Sequence, residues 1–139
     1  MKKSISKILA ITFSIAILFS SCSKAPNKIL PKKDGLWSAT YTVSTTVGSA
    51  TSTQTGAWSV TFKKDGTGSV TDAGTISTFT WSYSKDSKTL TFNEAGSITP
   101  TVFTVEEMKS KSEKWTYQTT YTLSGIVYTI SETITLTKV

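Results

Sequence analysis

Apolar and polar residues alternate along most of the chain after its first third. In the clearest stretch, Trp37, Ala39, Tyr41 and Val43 are separated by serine or threonine. Successive side chains of a β-strand point to opposite faces of a sheet, so this pattern predicts strands with one dry face and one hydrated face. No segment of residues 34–139 repeats apolar residues at helical spacing over three turns. We therefore expect this region to be all-β.

Short polar turns divide the region into about eight strands. Lys64-Asp65-Gly66 is typical of a tight hairpin turn, because an Asp-Gly pair accepts positive φ, and Ser124-Gly125 joins the last two strands. Residues 48–54 are expected to form a polar loop or a frayed strand end. A bulge is expected near Ser77, where the alternation breaks, and residues 110–113 are expected to form a polar turn.

Short turns between successive strands make neighbouring strands antiparallel, so the predicted topology is a meander. About eight such strands with one apolar face can close into a small barrel, which removes exposed sheet edges. A two-sheet β-sandwich is the alternative. Four tryptophans and five tyrosines supply ample bulk for the core of either fold.

The N-terminal segment has a different character. Three lysines precede the apolar run 8–19, and the small residues Ser20 and Ser21 follow it. A run of about 12 residues is too short to span a bilayer, which needs roughly 20. A basic start, a short apolar run and small residues are typical of a signal peptide, so we expect residues 1–21 to be removed.

Leu18-Phe19-Ser20-Ser21-Cys22 resembles the lipobox of bacterial lipoproteins. The resemblance implies cleavage before Cys22 and acylation of its thiol, which would anchor the protein to a membrane. An ordinary secreted protein with a free cysteine is the alternative. Ser23, where an aspartate would favour the inner membrane, favours the outer membrane. The first acid after the cysteine is the distant Asp34, which favours the periplasmic face over the cell surface.

Charge is divided unevenly between segments. Residues 22–33, the acylated cysteine and a predicted flexible tether, carry two prolines and four lysines, for which anionic lipid headgroups are the natural counterpart. Residues 34–139 carry eight lysines, nine acids and no arginine. A nearly neutral domain without arginine lacks the basic face of a nucleic-acid-binding protein, so we expect no nucleic-acid partner.

Several short segments of residues 34–139 resemble lipocalin-like domains of Bacteroidetes-type lipoproteins. Gly35-Leu36-Trp37 is similar to the Gly-x-Trp that opens lipocalins, where an arginine packs on the tryptophan. The other similar segments are residues 62–67, 81–83, 89–92 and 134–138. The resemblance implies a lipocalin-like barrel that binds a small apolar ligand.

Catalytic chemistry has few candidates in this composition. Histidine is absent and the single cysteine is assigned to the anchor, which excludes a His-based triad and a His metal site. Glu106 and Glu107 are neighbours in a predicted strand and so point to opposite faces. We expect no enzyme activity, no cofactor and no metal.

Tyrosine and tryptophan combine an apolar body with one hydrogen-bonding group, so they either fill the barrel or line a ligand pocket. Glu132 shares the parity of Ile130 and Ile134; either a bulge turns it outward or it faces a polar cavity. The candidate pocket residues are Tyr41, Trp58, Trp81, Tyr83, Trp115, Tyr117, Tyr128 and Glu132.

Two functions follow from these observations. The first is a non-enzymatic, lipid-anchored domain that binds a small apolar ligand inside its barrel. The second is a structural or interaction lipoprotein with a filled barrel that contacts another envelope protein. A cavity of a few hundred Å³ lined by the aromatic residues would favour the first, and a packed interior the second.

Overall fold

A computed structural model describes residues 26–139; the predicted signal peptide and Cys22 lie outside this range. The chain forms eight antiparallel strands that close into a barrel, because the first strand pairs with both the second and the last. The predicted meander barrel is therefore confirmed. A short helix α1 (Pro26–Ile29) precedes the strands β1 (Leu36–Val47), β2 (Ala50–Phe62), β3 (Thr67–Asp72), β4 (Thr75–Ser84), β5 (Thr89–Glu94), β6 (Thr101–Met108), β7 (Ser112–Leu123) and β8 (Ile126–Lys138).

The barrel has two ends, which we call the base and the mouth. Strands alternate in direction, so every second turn lies at the same end. The base holds the start of β1, the end of β8 and the turns 63–66, 85–88 and 109–111. The mouth holds the turns 48–49, 73–74, 95–100 and 124–125.

The described N-terminal segment, residues 26–35 before β1, packs against the base of the barrel. Ile29 and Leu30 are buried in the core cluster, and Trp37 donates a hydrogen bond from Nε1 to the Leu30 carbonyl at 2.9 Å. Lys138 donates from Nζ to the Lys32 carbonyl at 2.7 Å, and this nitrogen lies 4.7 Å from the centre of the Trp37 ring. The base is thus closed by residues that belong to both chain ends.

This packing corrects the prediction of a flexible tether through residue 33. Pro26–Ile29 form a helical turn, and the Leu30 amide donates a hydrogen bond to the Pro26 carbonyl at 2.8 Å. The physical reason is the apolar pair Ile29-Leu30, which gains more from burial beside Trp37 than from hydration. Within residues 26–139 no helix has the length and apolar character needed to cross a membrane.

Aromatic rings fill the base half of the interior. Phe62 contacts Phe79, Trp81 and Trp115 with ring centres 5.6, 5.4 and 5.9 Å apart in edge-to-face arrangements. Phe92 extends the cluster to Phe103 at 5.7 Å. Edge-to-face aromatic pairs stabilise a fold by more than the apolar area they bury would alone. This half of the barrel is therefore a packed core.

Four strands extend beyond the rest at the mouth. β1, β2, β7 and β8 have 12 or 13 residues, whereas β3 and β5 have six. Residues 48–54 therefore do not form the expected loop: Val47 pairs with Ala50 across the turn Gly48-Ser49. This part of β2 shows no alternation of apolar and polar residues, because small polar residues line both of its faces.

One other local prediction, a bulge near Ser77, was wrong. The β3–β4 register is unbroken from Thr67 to Asp72, so Ile76 simply faces outward with no bulge at Ser77. The irregularity lies instead between Val105 and Glu107, where β6 gains one residue relative to β7.

Candidate functional site

A cavity of about 440 Å³ occupies the mouth half of the barrel. Its wall combines aromatic rings with three carboxylates and small polar residues. The lining residues are Tyr41, Trp58, Val60, Val70, Asp72, Ser77, Thr78, Phe79, Phe92, Glu94, Thr101, Phe103, Trp115, Glu132 and Ile134. Its volume falls within the range of small-molecule sites, roughly 300–1,000 Å³.

The strand registers explain how these residues converge. Val60, Val70 and Ser77 lie side by side across β2, β3 and β4. On the other side, Tyr41 and Trp115 flank Ile134 across β1, β8 and β7. Since directly paired residues point to the same face of a sheet, each row presents its side chains to the barrel interior together.

The structure brings together four of the eight candidate pocket residues. Tyr41, Trp58, Trp115 and Glu132 line the cavity. The aromatic residues therefore divide between both expected roles, filling the base half and lining the mouth half.

The other four candidates lie elsewhere. Trp81 belongs to the packed core and donates from Nε1 to the Thr67 carbonyl at 3.1 Å, and Tyr83 lies near the base end of β4. Tyr128 stacks on Tyr121 at 5.0 Å towards the far end of the β7–β8 hairpin. Tyr117 borders a lateral depression between β6 and β7.

Glu132 faces the cavity without any distortion of its strand. The register is continuous on both sides, from Val43 on β1 through Glu132 to Tyr117 on β7. The bulge that would have turned it outward is absent from these pairings, so the alternative prediction, a carboxylate facing a polar cavity, is the one observed. Partial burial raises the pKa of this carboxyl above its usual range.

Asp72 and Glu94 are cavity residues that the sequence analysis missed. Each ends a strand at the mouth, β3 and β5 respectively. The available signal was topological: in a meander, strand ends separated by two turns lie at the same end of the barrel. Counting turns from Asp72 to Glu94 would have placed both carboxylates on one rim.

Glu113 is a second group that the sequence analysis misplaced. It was expected in a polar turn, but β7 begins at Ser112, and Glu113 points inward with 1% of its surface exposed. Its Oε2 accepts a hydrogen bond from Trp115 Nε1 at 2.9 Å, whereas Oε1 has no partner among the described residues. Burial raises the pKa of Glu113 to about 7, although the Trp115 hydrogen bond opposes the shift.

Charges separate along the barrel axis. All eleven lysines of the described range lie in the N-terminal segment, in the base turns or in the strand residues next to them: Lys28, Lys32, Lys33, Lys63, Lys64, Lys85, Lys88, Lys109, Lys111, Lys114 and Lys138. Six acids share that half: Asp34, Asp65, Asp86, Glu106, Glu107 and Glu113. The mouth half holds Asp72, Glu94 and Glu132 and no lysine. A nearly neutral domain is thus basic at one end and acidic at the other.

Glu106 and Glu107 both lie on the outer surface and not on opposite faces as expected, because the bulge between Val105 and Glu107 breaks the alternation there. Glu106 pairs with Lys114 at 2.8 Å, and Glu107 with Lys109 at 3.0 Å. The Lys114 ammonium and the Thr116 hydroxyl hold the pKa of Glu106 below its usual range. Within residues 26–139 no three histidine, cysteine or acidic side chains cluster as metal ligands would.

Comparison of the chain with protein-family models, curated proteins and solved structures finds no significant match.

Proposed function

We propose that the protein is a membrane-anchored, non-enzymatic binding domain that holds a small, largely apolar ligand in the mouth half of a lipocalin-like barrel. The observation that carries this proposal is the aromatic-lined cavity of about 440 Å³ above a packed core. Its wall offers rings for apolar contact and a few carboxylates and hydroxyls to orient a ligand, which is the usual composition of a small-molecule site.

The position of the chain ends supports a membrane anchor at the base. The described chain begins at Pro26, four residues after Cys22, in the helical turn that leads to Leu30, whose carbonyl accepts the Trp37 hydrogen bond. Four residues span at most about 14 Å, so an acylated Cys22 would hold the base close to the headgroups. The eleven lysines at that end then face anionic lipid, and the cavity opens away from the membrane.

Lys138 adds support for the lipocalin-like assignment. Its ammonium group lies over the ring of Trp37, the tryptophan of the Gly-x-Trp segment. The lysine thereby supplies the cation that an arginine supplies in lipocalins. A cation over a tryptophan face is favourable, and here it also links the last strand to the first.

A neutral ring compound tests the proposal. We expect 1-naphthylmethanol to bind the full chain in zwitterionic lipid nanodiscs, measured by calorimetry against empty nanodiscs. Ser77→Trp should abolish binding, because Ser77 lines the cavity and the indole would fill it. Ser82→Trp is the matched control: it lies on the same strand with an exposed side chain and should bind like the unaltered protein. Binding that survives Ser77→Trp would contradict a site in the cavity.

The alternative function, a lipoprotein that contacts another envelope protein, is favoured by one observation. Leu123, Ile126 and Val127 at the tip of the β7–β8 hairpin are about half exposed or more, beside the stacked pair Tyr121 and Tyr128. Exposed apolar groups that cluster in this way are typical of interaction surfaces. If the unaltered protein does not bind 1-naphthylmethanol, that result would favour the alternative function.

A further inference from the structure

The cavity wall is charged with one sign only. Asp72, Glu94 and Glu132 line it, and none of the eleven described lysines does. A concave site lined by charges of one sign focuses the field and attracts ions of the opposite sign. The base lysines lie at the other end of the barrel, where they do little to offset this potential.

Glu132 is the carboxylate set deepest along its strand. Its paired neighbours, Val43 and Tyr117, offer no positive charge. Both ion pairs found among the described residues lie on the outer surface and involve Glu106 and Glu107. A partly buried carboxylate without a counter-charge is costly, so a bound cation would stabilise Glu132 in its ionised form.

Aromatic faces complete the surroundings that a cation prefers. Tyr41 and Trp58 line the same cavity as Glu132, and an ammonium group gains from both a carboxylate and an aromatic face. An anionic ligand would instead meet three carboxylates of its own sign.

We propose that the cavity selects ligands that carry one positive charge on an apolar, ring-containing body, with Glu132 as the counter-ion. The inference rests on the proposed binding function and specifies the chemical class of the ligand. Apolar rings of the lower wall, such as Phe79 and Phe103, would contact the ligand body, and the rim carboxylates Asp72 and Glu94 would attract the cation.

Three compounds of nearly equal shape test the proposal: 1-naphthylmethylammonium, 1-naphthylmethanol and 1-naphthoate. Affinities are measured by calorimetry with the full chain in zwitterionic nanodiscs, since anionic lipid would itself collect the cation. We expect the ammonium compound to bind about tenfold more tightly than the alcohol, the effect of one charge-assisted hydrogen bond. The naphthoate should bind more weakly than the alcohol.

Glu132→Gln keeps the shape of the side chain and removes its charge. It should reduce the preference for the ammonium compound to about twofold or less while leaving the affinity for the alcohol nearly unchanged. Glu106→Gln removes one carboxylate from the outer surface and should retain the full preference. Lowering the pH should weaken ammonium binding by the unaltered protein as Glu132, whose pKa burial raises, becomes protonated.

The outcomes separate this inference from the function on which it rests. Equal binding of the ammonium compound and the alcohol, or tighter binding of the naphthoate, would overturn the charge preference and leave the cavity as a neutral apolar site. A preference that Glu132→Gln leaves intact would overturn the assigned counter-ion. Failure of all three compounds to bind would contradict the binding function itself.

Discussion

At the residue scale, the least favourable feature of the structure is the burial of the Glu113 carboxyl group. A carboxyl group in a dry interior favours its neutral form because ionisation there forgoes hydration. Trp115 can satisfy one oxygen only, and the other has no partner among the described residues. Burial raises the pKa of the Tyr83 hydroxyl, and the charge of Glu113 adds a smaller shift in the same direction.

The raised pKa makes stability depend on pH. Below pH 4.5, the ordinary pKa, Glu113 is neutral in both the folded and the unfolded chain, so its ionisation costs no stability. As the pH rises to about 7, the carboxyl ionises first in the unfolded chain, and the free energy of unfolding falls. The loss amounts to about 3 kcal/mol and is complete above about pH 7. Glu113→Gln should therefore unfold at a clearly higher urea concentration than the unaltered chain at pH 8, and at nearly the same concentration at pH 5.

Glu107→Gln provides the control for that comparison. Its carboxylate is half-exposed and paired with Lys109, and exposed pairs contribute at most about 1 kcal/mol. This variant should keep the pH dependence of the unaltered chain. The raised pKa of Glu132 leaves a smaller loss of the same sign in every variant. A Glu113→Gln variant that loses as much stability between pH 5 and pH 8 as the unaltered chain would show that the dependence does not come from Glu113.

The inward orientation of Glu132 was predictable from the sequence, whereas that of Glu113 was not. Parity with Ile130 and Ile134 was sufficient to predict that an undistorted strand points Glu132 inward. Glu113 was not predictable, because Lys111, Ser112 and Lys114 around it are typical of a hydrated turn. Its burial follows from strand pairing with Leu136 and Met108, which no local pattern shows.

At the scale of the element, two glycines make room for rings that pack flat on the sheet. A Cβ added at Gly56 would overlap the Tyr41 ring, and one added at Gly68 would overlap the Phe79 ring and the Thr61 carbonyl. Glycine within a strand weakens it unless a group approaches closely. At both positions the approaching group is an aromatic side chain from a neighbouring strand.

Gly68→Ala should therefore destabilise the barrel by about 1–3 kcal/mol, the usual cost of overpacking. The Phe79 ring cannot withdraw easily, since Phe62 and Phe92 lie 5.6 and 5.1 Å away, centre to centre. The midpoint of urea unfolding measures the effect. Ser69→Ala, the next residue on the opposite face, should change stability by no more than about 0.5 kcal/mol. Equal midpoints for the two variants would contradict the close ring packing.

Elements with a clear alternation were predictable, and those without one were not. The second half of β4 and most of β8 carry large apolar residues at every second position, so these parts were predictable as strands. The mouth half of β2 has small polar residues on both faces and was predicted as a polar loop or a frayed strand end. There the strand is held by its neighbour: Ser44 and Thr53, like Thr46 and Thr51, bring their hydroxyls within 3.2 Å across β1 and β2.

The whole molecule is organised by the alternation of its turns. The net charge of residues 34–139 is close to zero, but this number does not show at which end of the barrel the charges lie. Because every second turn of a meander returns to the same end, the lysine-bearing turns gather at the base, and the strand ends Asp72 and Glu94 gather at the mouth. A barrel with one basic and one acidic end is suited to lie base-down on anionic lipid and present its cavity to the surrounding solution.

Distances from the membrane test this orientation most directly. The only cysteine of the chain is Cys22, so once it is acylated a single introduced cysteine can carry a fluorophore. Ser87→Cys places the label in a base turn and Ser97→Cys places it in a mouth turn. The two labelled turns are joined by β5, whose six residues, tilted as in a barrel, separate them by about 15 Å along the barrel axis. Labelled full-length protein is reconstituted into vesicles that contain anionic lipid and an energy acceptor on the headgroups.

We predict efficient energy transfer from residue 87 and weak transfer from residue 97. Combined Lys63→Glu and Lys64→Glu substitutions should reduce the difference, whereas Thr51→Glu with Gln54→Glu, two acidic substitutions near the mouth, should preserve it. Mass spectrometry of the same samples establishes whether Cys22 carries its acyl chains. Equal transfer from both positions, or stronger transfer from residue 97, would contradict a barrel that stands on its base with its cavity facing away from the membrane.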